Sequence, residues 1–309
     1  MIKKILLIPI VVFALLSAQQ ETDVYMFSFF KGNGEDGLHL ATSKDGFKWK
    51  ALNRNKSFLT PEVGKDKLMR DPCIIKGGDG KFHMVWTVGW TDRGIGYANS
   101  EDLINWSEQK YIPVMNHEPK ARNSWAPELF YDDETNQYLI IWATTITGKY
   151  PNTDSSGDDD YNHRMYYTTT KDFENFSDTK IFYDEGFNVI DATIIKNKDT
   201  YVMFLKNEIL KPKAEKNIRV ATSKSLIGNY SKPSEPISPN WVEGPTSIRI
   251  NGNWIVYFDK YTKHKMGAVL SSDLKEWTDI SDKIKFPRGT RHGSIFKVNK
   301  SILDKILSE

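Results

Sequence analysis

Short apolar runs come in pairs along this chain, each pair split by a tight turn, and the arrangement occurs four times. Residues 72–75 and 82–86 flank Gly77-Gly78-Asp79-Gly80, and 127–131 and 138–142 flank Asp132-Asp133-Glu134. Residues 192–195 and 201–205 flank Asn197-Lys198-Asp199, and 246–250 and 254–258 flank Asn251-Gly252-Asn253. Runs of this length with almost no polar interruption are expected of inner strands covered on both faces. Asn-Gly and Gly-Asp-Gly tolerate the positive φ that primed hairpin turns require, so each pair predicts an antiparallel hairpin.

A second pattern follows each hairpin: a hydroxyl residue, usually an Asp two positions on, and an aromatic ring four or five further. It reads Ser43-Lys44-Asp45 to Trp49, Ser100-Glu101-Asp102 to Trp106, Thr170-Lys171-Asp172 to Phe176, Ser223-Lys224-Ser225 to Tyr230, and Ser271-Ser272-Asp273 to Trp277. The rings lie 57, 70, 54 and 47 residues apart. A recurrence near 50 residues in a strand-rich chain predicts propeller blades, each too small to bury its own faces. Five copies but four complete hairpins imply that the fifth blade is split. Its inner strand would be 293–296 and its second strand 24–30, which seals the ring and removes exposed sheet edges. The expected fold is therefore all-β, a single five-bladed β-propeller over 19–309 with one blade shared between the two ends of the chain. A polar insertion at 147–162 is read as a loop of the second blade, with His163 and Arg164 as exposed residues behind it. Residues 301–307 are read as a short capping helix burying Ile302, Leu303 and Ile306.

Composition narrows the function. Residues 1–18 (Lys3 and Lys4, an apolar run, then Leu16-Ser17-Ala18) read as a signal peptide, which predicts a periplasmic or secreted protein. Without that segment the 42 basic and 40 acidic residues of the chain come to equal numbers. A mature charge near zero argues against nucleic acid or an anionic membrane as partner, and the chain is expected to work as a monomer. Cys73 is the lone cysteine, which rules out an intrachain disulfide and suits a small buried strand residue.

The inner strands open at Asp71, Ala126, Asp191, Gly244 and His292, spaced 55, 65, 53 and 48 residues apart. Inner strands line a propeller's axis, so Asp71, Asp191 and the adjacent Glu243 are expected to meet at one mouth of the ring. Three carboxylates together are electrostatically unfavourable without a cation or protonation to relieve them, and such an arrangement commonly marks function. The chemistry that uses it is glycoside hydrolysis, in which one carboxylate stays ionised and another holds a proton for the departing oxygen. Trp90, Trp125 and Trp241 are candidates for stacking on a sugar, whereas Trp86, Trp142 and Trp254 fall mid-strand and read as packing between blades. Glu128 is a rival acid, read as a brace for a neighbouring loop.

Asp71-Pro72 with Ile74, Trp125-Ala126-Pro127-Glu128, the strand-opening Asp191, Glu243-Gly244-Pro245 and Arg291-His292-Gly293-Ser294 together resemble glycoside hydrolase family 43. That family comprises five-bladed propellers including α-L-arabinofuranosidases, β-xylosidases and endo-arabinanases, and the resemblance spans the mature chain. It implies an inverting hydrolase with Asp71 as general base, Glu243 as general acid, and Asp191 orienting the acid and raising its pKa. It implies Arg291 and His292 close to the substrate, no required cofactor, and a structural Ca2+ near the axis that His292 meets through water. Arabinofuranosyl or xylosyl linkages in a carbohydrate substrate are the expected targets, with exo action. This chain departs from the family in placing a half-blade, 24–53, before the base. Two other readings stay open: a propeller that binds glycan without cutting it, and a retaining fructan hydrolase. The latter would need an Asn-Asp-Pro motif, which 19–60 lacks, and a Cys after its acidic residue, where Glu243 has Gly244.

Overall fold

The computed structural model describes residues 23–309; the expected signal segment lies outside them. Five small antiparallel sheets form a ring. In chain order the strands are β1 (Asp23–Phe29), β2 (His39–Ser43) and β3 (Lys50–Ala51); β4 (Arg70–Lys76), β5 (Phe82–Thr87), β6 (Ile95–Ser100) and β7 (Lys110–Ile112); β8 (Trp125–Asp132), β9 (Gln137–Thr145), β10 (His163–Thr170) and β11 (Lys180–Tyr183). They continue with β12 (Val189–Asn197), β13 (Thr200–Asn207) and β14 (Asn217–Ser223); β15 (Glu243–Ile250), β16 (Asn253–Lys260), β17 (Lys265–Ser271) and β18 (Thr278–Asp279); and β19 (Ile295–Asn299), followed by helix α1 (Lys300–Ser308). The last strand pairs with the first, Phe27 opposite Ile295 and Asp23 opposite Asn299, giving the sheet order β19-β1-β2-β3. The fifth blade is therefore split between the chain ends, as its sequence predicts. The inner strands β4, β8, β12, β15 and β19 each touch the next around the ring, and β19 touches β4. At that seam Ser28 donates its hydroxyl to the Pro72 carbonyl (2.6 Å), and the Ser294 Oγ accepts the Ile74 N–H (2.8 Å).

The repeated Ser-x-Asp is a turn device between third and fourth strands. The Asp102 Oδ1 accepts the N–H groups of Ile104 and Asn105, while the Ser100 Oγ accepts those of Asp102 and Leu103. Asp45, Asp172 and Asp273 repeat the pattern. The copy with Ser225 in place of Asp belongs to the one three-stranded blade, β12-β13-β14. There an irregular segment takes the place of a fourth strand: Ser231, Ser234 and Ser238 accept the N–H groups of Thr222, Val220 and Ile218 on their hydroxyls. An edge that would otherwise expose unpaired donors is thereby covered.

Apolar clusters fill the spaces between neighbouring sheets, with Trp86, Trp142 and Trp254 buried in them or beside them. Helix α1 buries Leu303 and Ile306, while Ile302 is partly buried. Arg164 and His163 are not exposed: both lie buried on β10. Arg164 reaches Asp184 (2.5 Å), Asn162 and Thr153, and stacks on Tyr150, so it pins the 147–162 insertion to its blade.

Candidate active site

Four of the five inner strands open with the same backbone distortion. Asp71, Ala126, Asp191 and Gly244 have φ of 53°, 46°, 51° and 60°. Pairing with the second strand slips by a residue there, between Arg70 and Cys73, Trp125 and Glu128, Ile190 and Thr193, and Glu243 and Thr246. These are β-bulges, which bend a strand and re-aim its side chains. Consecutive side chains of a regular strand point to opposite faces. Here the bulge brings both residues of three pairs to one cavity, Arg70 with Asp71, Trp125 with Ala126 and Ile190 with Asp191; in the fifth blade Arg291 and His292, which precede β19, line it without a bulge. Where the fourth blade has Gly244, only its partner Glu243 lines the cavity, which measures about 250 Å3. Left-handed φ at Asp71, Ala126 and Asp191 costs on the order of 1–2 kcal/mol each, strain tolerated at the one place where it converges side chains.

Asp71 receives the Thr87 hydroxyl on Oδ2 (2.9 Å) and faces His292 Nδ1 across 3.1 Å on Oδ1. Burial alone would raise its pKa, but the His292 imidazolium, Arg70 and Thr87 more than offset that and hold it at about 2. His292 is buried, which disfavours its charge, yet Asp71, Asp191 and Glu243 push its pKa up to about 9. Asp191 accepts the Gly244 N–H on Oδ2 (3.0 Å), clamping the peptide that follows Glu243. Burial raises the Asp191 carboxyl to about 6, with Glu243 and Asp71 adding to the rise against the pull of His292 and Lys206. Glu243 lies between two cations: Arg291 Nη2 donates to Oε1 (3.1 Å) and Lys206 Nζ to Oε2 (3.4 Å). Against burial, Lys206, Arg291 and His292 pull its pKa below the ordinary value. The elevation expected for the acid thus falls on Asp191 instead, because Lys206 and Arg291 hold Glu243 as a carboxylate.

Arg291 also donates through Nε to Asp259 (2.6 Å), a fully buried carboxylate whose burial raises it to about 6. Trp90 and Trp125 meet edge to face at 5.6 Å on the rim, and the Arg70 guanidinium stacks over Trp90 at 4.4 Å. Trp241 does not join them: it is exposed on a bend with φ 66° and lies outside the cavity lining. Glu128 is buried beneath the site, accepting from Cys73 (3.3 Å) and Thr193 (3.1 Å), and burial lifts it to about 7. It ties β8 to the inner strands β4 and β12, not to a loop as expected, and does not line the cavity. His292 Nδ1 faces Asp71 across 3.1 Å, and among the described residues no group of three or more His, Cys, Asp and Glu has metal-holding geometry.

Thr87, Lys206, Glu208, Asp259 and Tyr261 escaped the sequence reading. A signal for three of them was present. Thr87, Lys206 and Asp259 each stand opposite the residue preceding a bulge position, paired with Arg70, Ile190 and Glu243. A polar residue in the last two positions of a largely apolar second strand marks them.

Known glycosyl hydrolases resemble this chain over most of its length. An α-L-arabinofuranosidase of Bifidobacterium longum subsp. longum is 27% identical over 286 residues, covering 80% of this chain. The match takes in 26% of that protein, so the chain spans about a quarter of its relative's length. The crystal structure of a thermostable family-43 glycoside hydrolase superposes with a TM-score of 0.55 at 17% identity, over 74% of this chain and 82% of that one. The α-L-arabinofuranosidase from Lactobacillus brevis gives 0.53 at 19% identity, over 69% and 72%. At those identities the two structures speak for the fold. The family model described as "Probable glycosyl hydrolase domain" matches residues 20–304, nearly the whole chain, and the protein belongs to this family-43-related group of glycosyl hydrolases.

Proposed function

We propose that this chain is an exported, inverting glycoside hydrolase that removes terminal arabinofuranosyl or xylosyl residues, with Asp71 as general base, Glu243 as general acid and Asp191 as the positioning residue. The observation that carries the reading is one small cavity lined by carboxylates whose pKa values are driven apart, Asp71 to about 2 and Asp191 to about 6. Asp71 is ionised throughout the working range and suited to take a proton from water as that water attacks the anomeric carbon. The glycosidic C–O bond breaks as the acid's proton passes to the leaving oxygen. Glu243 suits this role because its side chain is 21% exposed whereas that of Asp191 is 6% exposed. For Glu243 to act, the proton that the cluster takes up on Asp191 below about pH 6 must be on Glu243 when sugar is bound.

The cavity volume of about 250 Å3 falls just below the roughly 300–1,000 Å3 of sites for larger ligands, which favours one sugar ring and thus exo action. The arabinofuranosidase activity printed for the Bifidobacterium relative supports an arabinofuranosyl substrate. Reducing-sugar release from arabinofuranosyl and xylosyl oligosaccharides, compared among wild type, Asp71→Asn and Glu243→Gln, tests the assignment. Turnover abolished by either change is expected; a wild type that binds glycan and releases nothing would make the chain a binding module. Proton NMR of the first-formed sugar should show inverted configuration, and retention would overturn the role given to Asp71.

A further inference from the structure

A line of charges, buried except at its outer end Asp158, runs away from Glu243 that hydrolysis by three carboxylates does not call for. Lys206, the penultimate residue of β13, lines the cavity and is 3% exposed. Its Nζ lies 3.4 Å from Glu243 Oε2 and 2.6 Å from Glu208 Oε2, and 5.1 Å above the Tyr261 ring. Glu208 also binds Lys216 Nζ, and Lys216, likewise buried, reaches Asp158 of the 147–162 insertion at 2.9 Å. Two lysines and two carboxylates thus alternate from the insertion to the acid. Removing an ammonium from water is costly unless it is paired on every side, and Lys206 divides its pairing unevenly between two acids.

We infer that Lys206 is a second positioning residue for the acid: Glu208 and Lys216 hold its ammonium at a set distance from Glu243, so that it stabilises the charge appearing there as the proton leaves. This rests on the role proposed for Glu243. The shorter contact to Glu208 keeps Lys206 from locking Glu243 as a permanent carboxylate, while the longer one places a cation where negative charge develops, in a dry site where such placement is most effective. The charged groups around Glu243 are Lys206, Arg291, His292, Asp71, Asp191 and Asp259. Those around Lys206 are Glu208, Glu243, Asp191 and Tyr261.

The test is the titration midpoint of Glu243 by 13C NMR of side-chain carboxyl carbons, alongside the pH profile of kcat/KM. In Lys206→Met the midpoint and the alkaline limb should rise by about one unit, a tenfold change in the proton equilibrium. In Glu208→Gln both should fall, since Lys206 loses its competing anion and turns toward Glu243. Lys206→Arg should restore the wild-type midpoint. Lys206→Met should also slow natural oligosaccharides at least about tenfold more than aryl glycosides with good leaving groups, because only the former need protonation. If Lys206→Met fails to fold, Glu208→Gln, which is isosteric, still decides. Midpoints that stay in place, or move together in both variants, would overturn the inference. A wild type without turnover would remove the hydrolase reading and the catalytic use of Lys206 with it, whereas the NMR midpoints, read on the resting protein, would still decide whether Lys206 and Glu208 set the proton equilibrium of Glu243.

Discussion

His292 is the cation on which the inner ring of charges depends, and replacing it with Gln gives a pH-dependent loss whose size follows from the structure. Its Nδ1 lies 3.1 Å from Asp71 and 4.0 Å from Asp191, with its side chain 5% exposed, so solvent screens little of the interaction. A rise from 6.5 to about 9 corresponds to on the order of 3 kcal/mol of net attraction between the imidazolium and its carboxylates. A histidine whose pKa is raised by folding lends its stability in full below the unfolded value, near 6.5, and loses it as pH climbs through about 9. The difference in unfolding free energy between wild type and His292→Gln should therefore be largest near pH 6. By pH 10 it should shrink by most of those 3 kcal/mol. The smaller side chain also leaves a packing defect, but that term does not vary with pH. Urea denaturation at pH 6, 8 and 10 separates the two. Asp71 should rise from about 2 toward or above 3.8 once burial is opposed only by Arg70 and Thr87, carrying the acid limb of kcat/KM up by a unit or more. A stability difference equal at pH 6 and pH 10 would mean that His292 is a neutral filler, and the charge argument would fall with it.

The wild-type kcat/KM profile should be bell-shaped with limbs near the Asp71 value of about 2 and the Asp191 value of about 6, and Asp191→Asn should move the alkaline limb downward by removing a charge that retains the shared proton. Gly244→Ala should reduce kcat well beyond its effect on stability, because a Cβ there would lie 2.2 Å from the His292 ring at a φ of +60°; normal kcat in a folded variant would show that the ring's position is immaterial. Glu128 holds its proton to about 7 in the fold, above the ordinary 4.5 of a glutamate, so its burial costs stability as pH rises through that window, on the order of 3 kcal/mol in full. Glu128→Gln should accordingly gain stability over wild type between pH 4.5 and pH 7, read as a growing difference in Tm by calorimetry.

The ring itself was legible because its signals are local and repeated. Turn chemistry at 77–80 and 251–253, apolar hairpin strands and the Ser-x-Asp device each follow from a few neighbouring residues, and their recurrence set the number of blades. Convergence of Asp71, Asp191 and Glu243 on one cavity was legible for the same reason, since all three sit at one register of the repeat. Protonation was not. It depends on Lys206 and Asp259, which enter from second strands through pairings with Ile190 and Glu243, so that the expected elevation settled on Asp191. Trp241 misled through proximity along the chain: two residues from Glu243, it lies on the other side of a backbone bend. His163 and Arg164 misled through composition, because a polar pair after an acidic loop reads as surface until Asn162, Thr153 and Asp184 are seen around the guanidinium.

The bulges explain why the proposed acid is Glu243 and not the residue at the bulge itself. Bulge positions form an inner ring of Asp71, Ala126, Asp191 and Gly244 that His292 completes, and the residues just before them form an outer ring of Arg70, Trp125, Ile190, Glu243 and Arg291. The inner ring is dry: the side chains of Asp71, Asp191 and His292 are 11%, 6% and 5% exposed. There is no room in it for another acid, since the His292 ring occupies the space that a side chain at 244 would need. A base that acts through a water molecule can work from that recess. An acid must touch the glycosidic oxygen itself, within about 3 Å, and so belongs in the outer ring, where Glu243 is 21% exposed. The two proposed roles therefore call for different depths, and one residue of offset along a bulged strand supplies them.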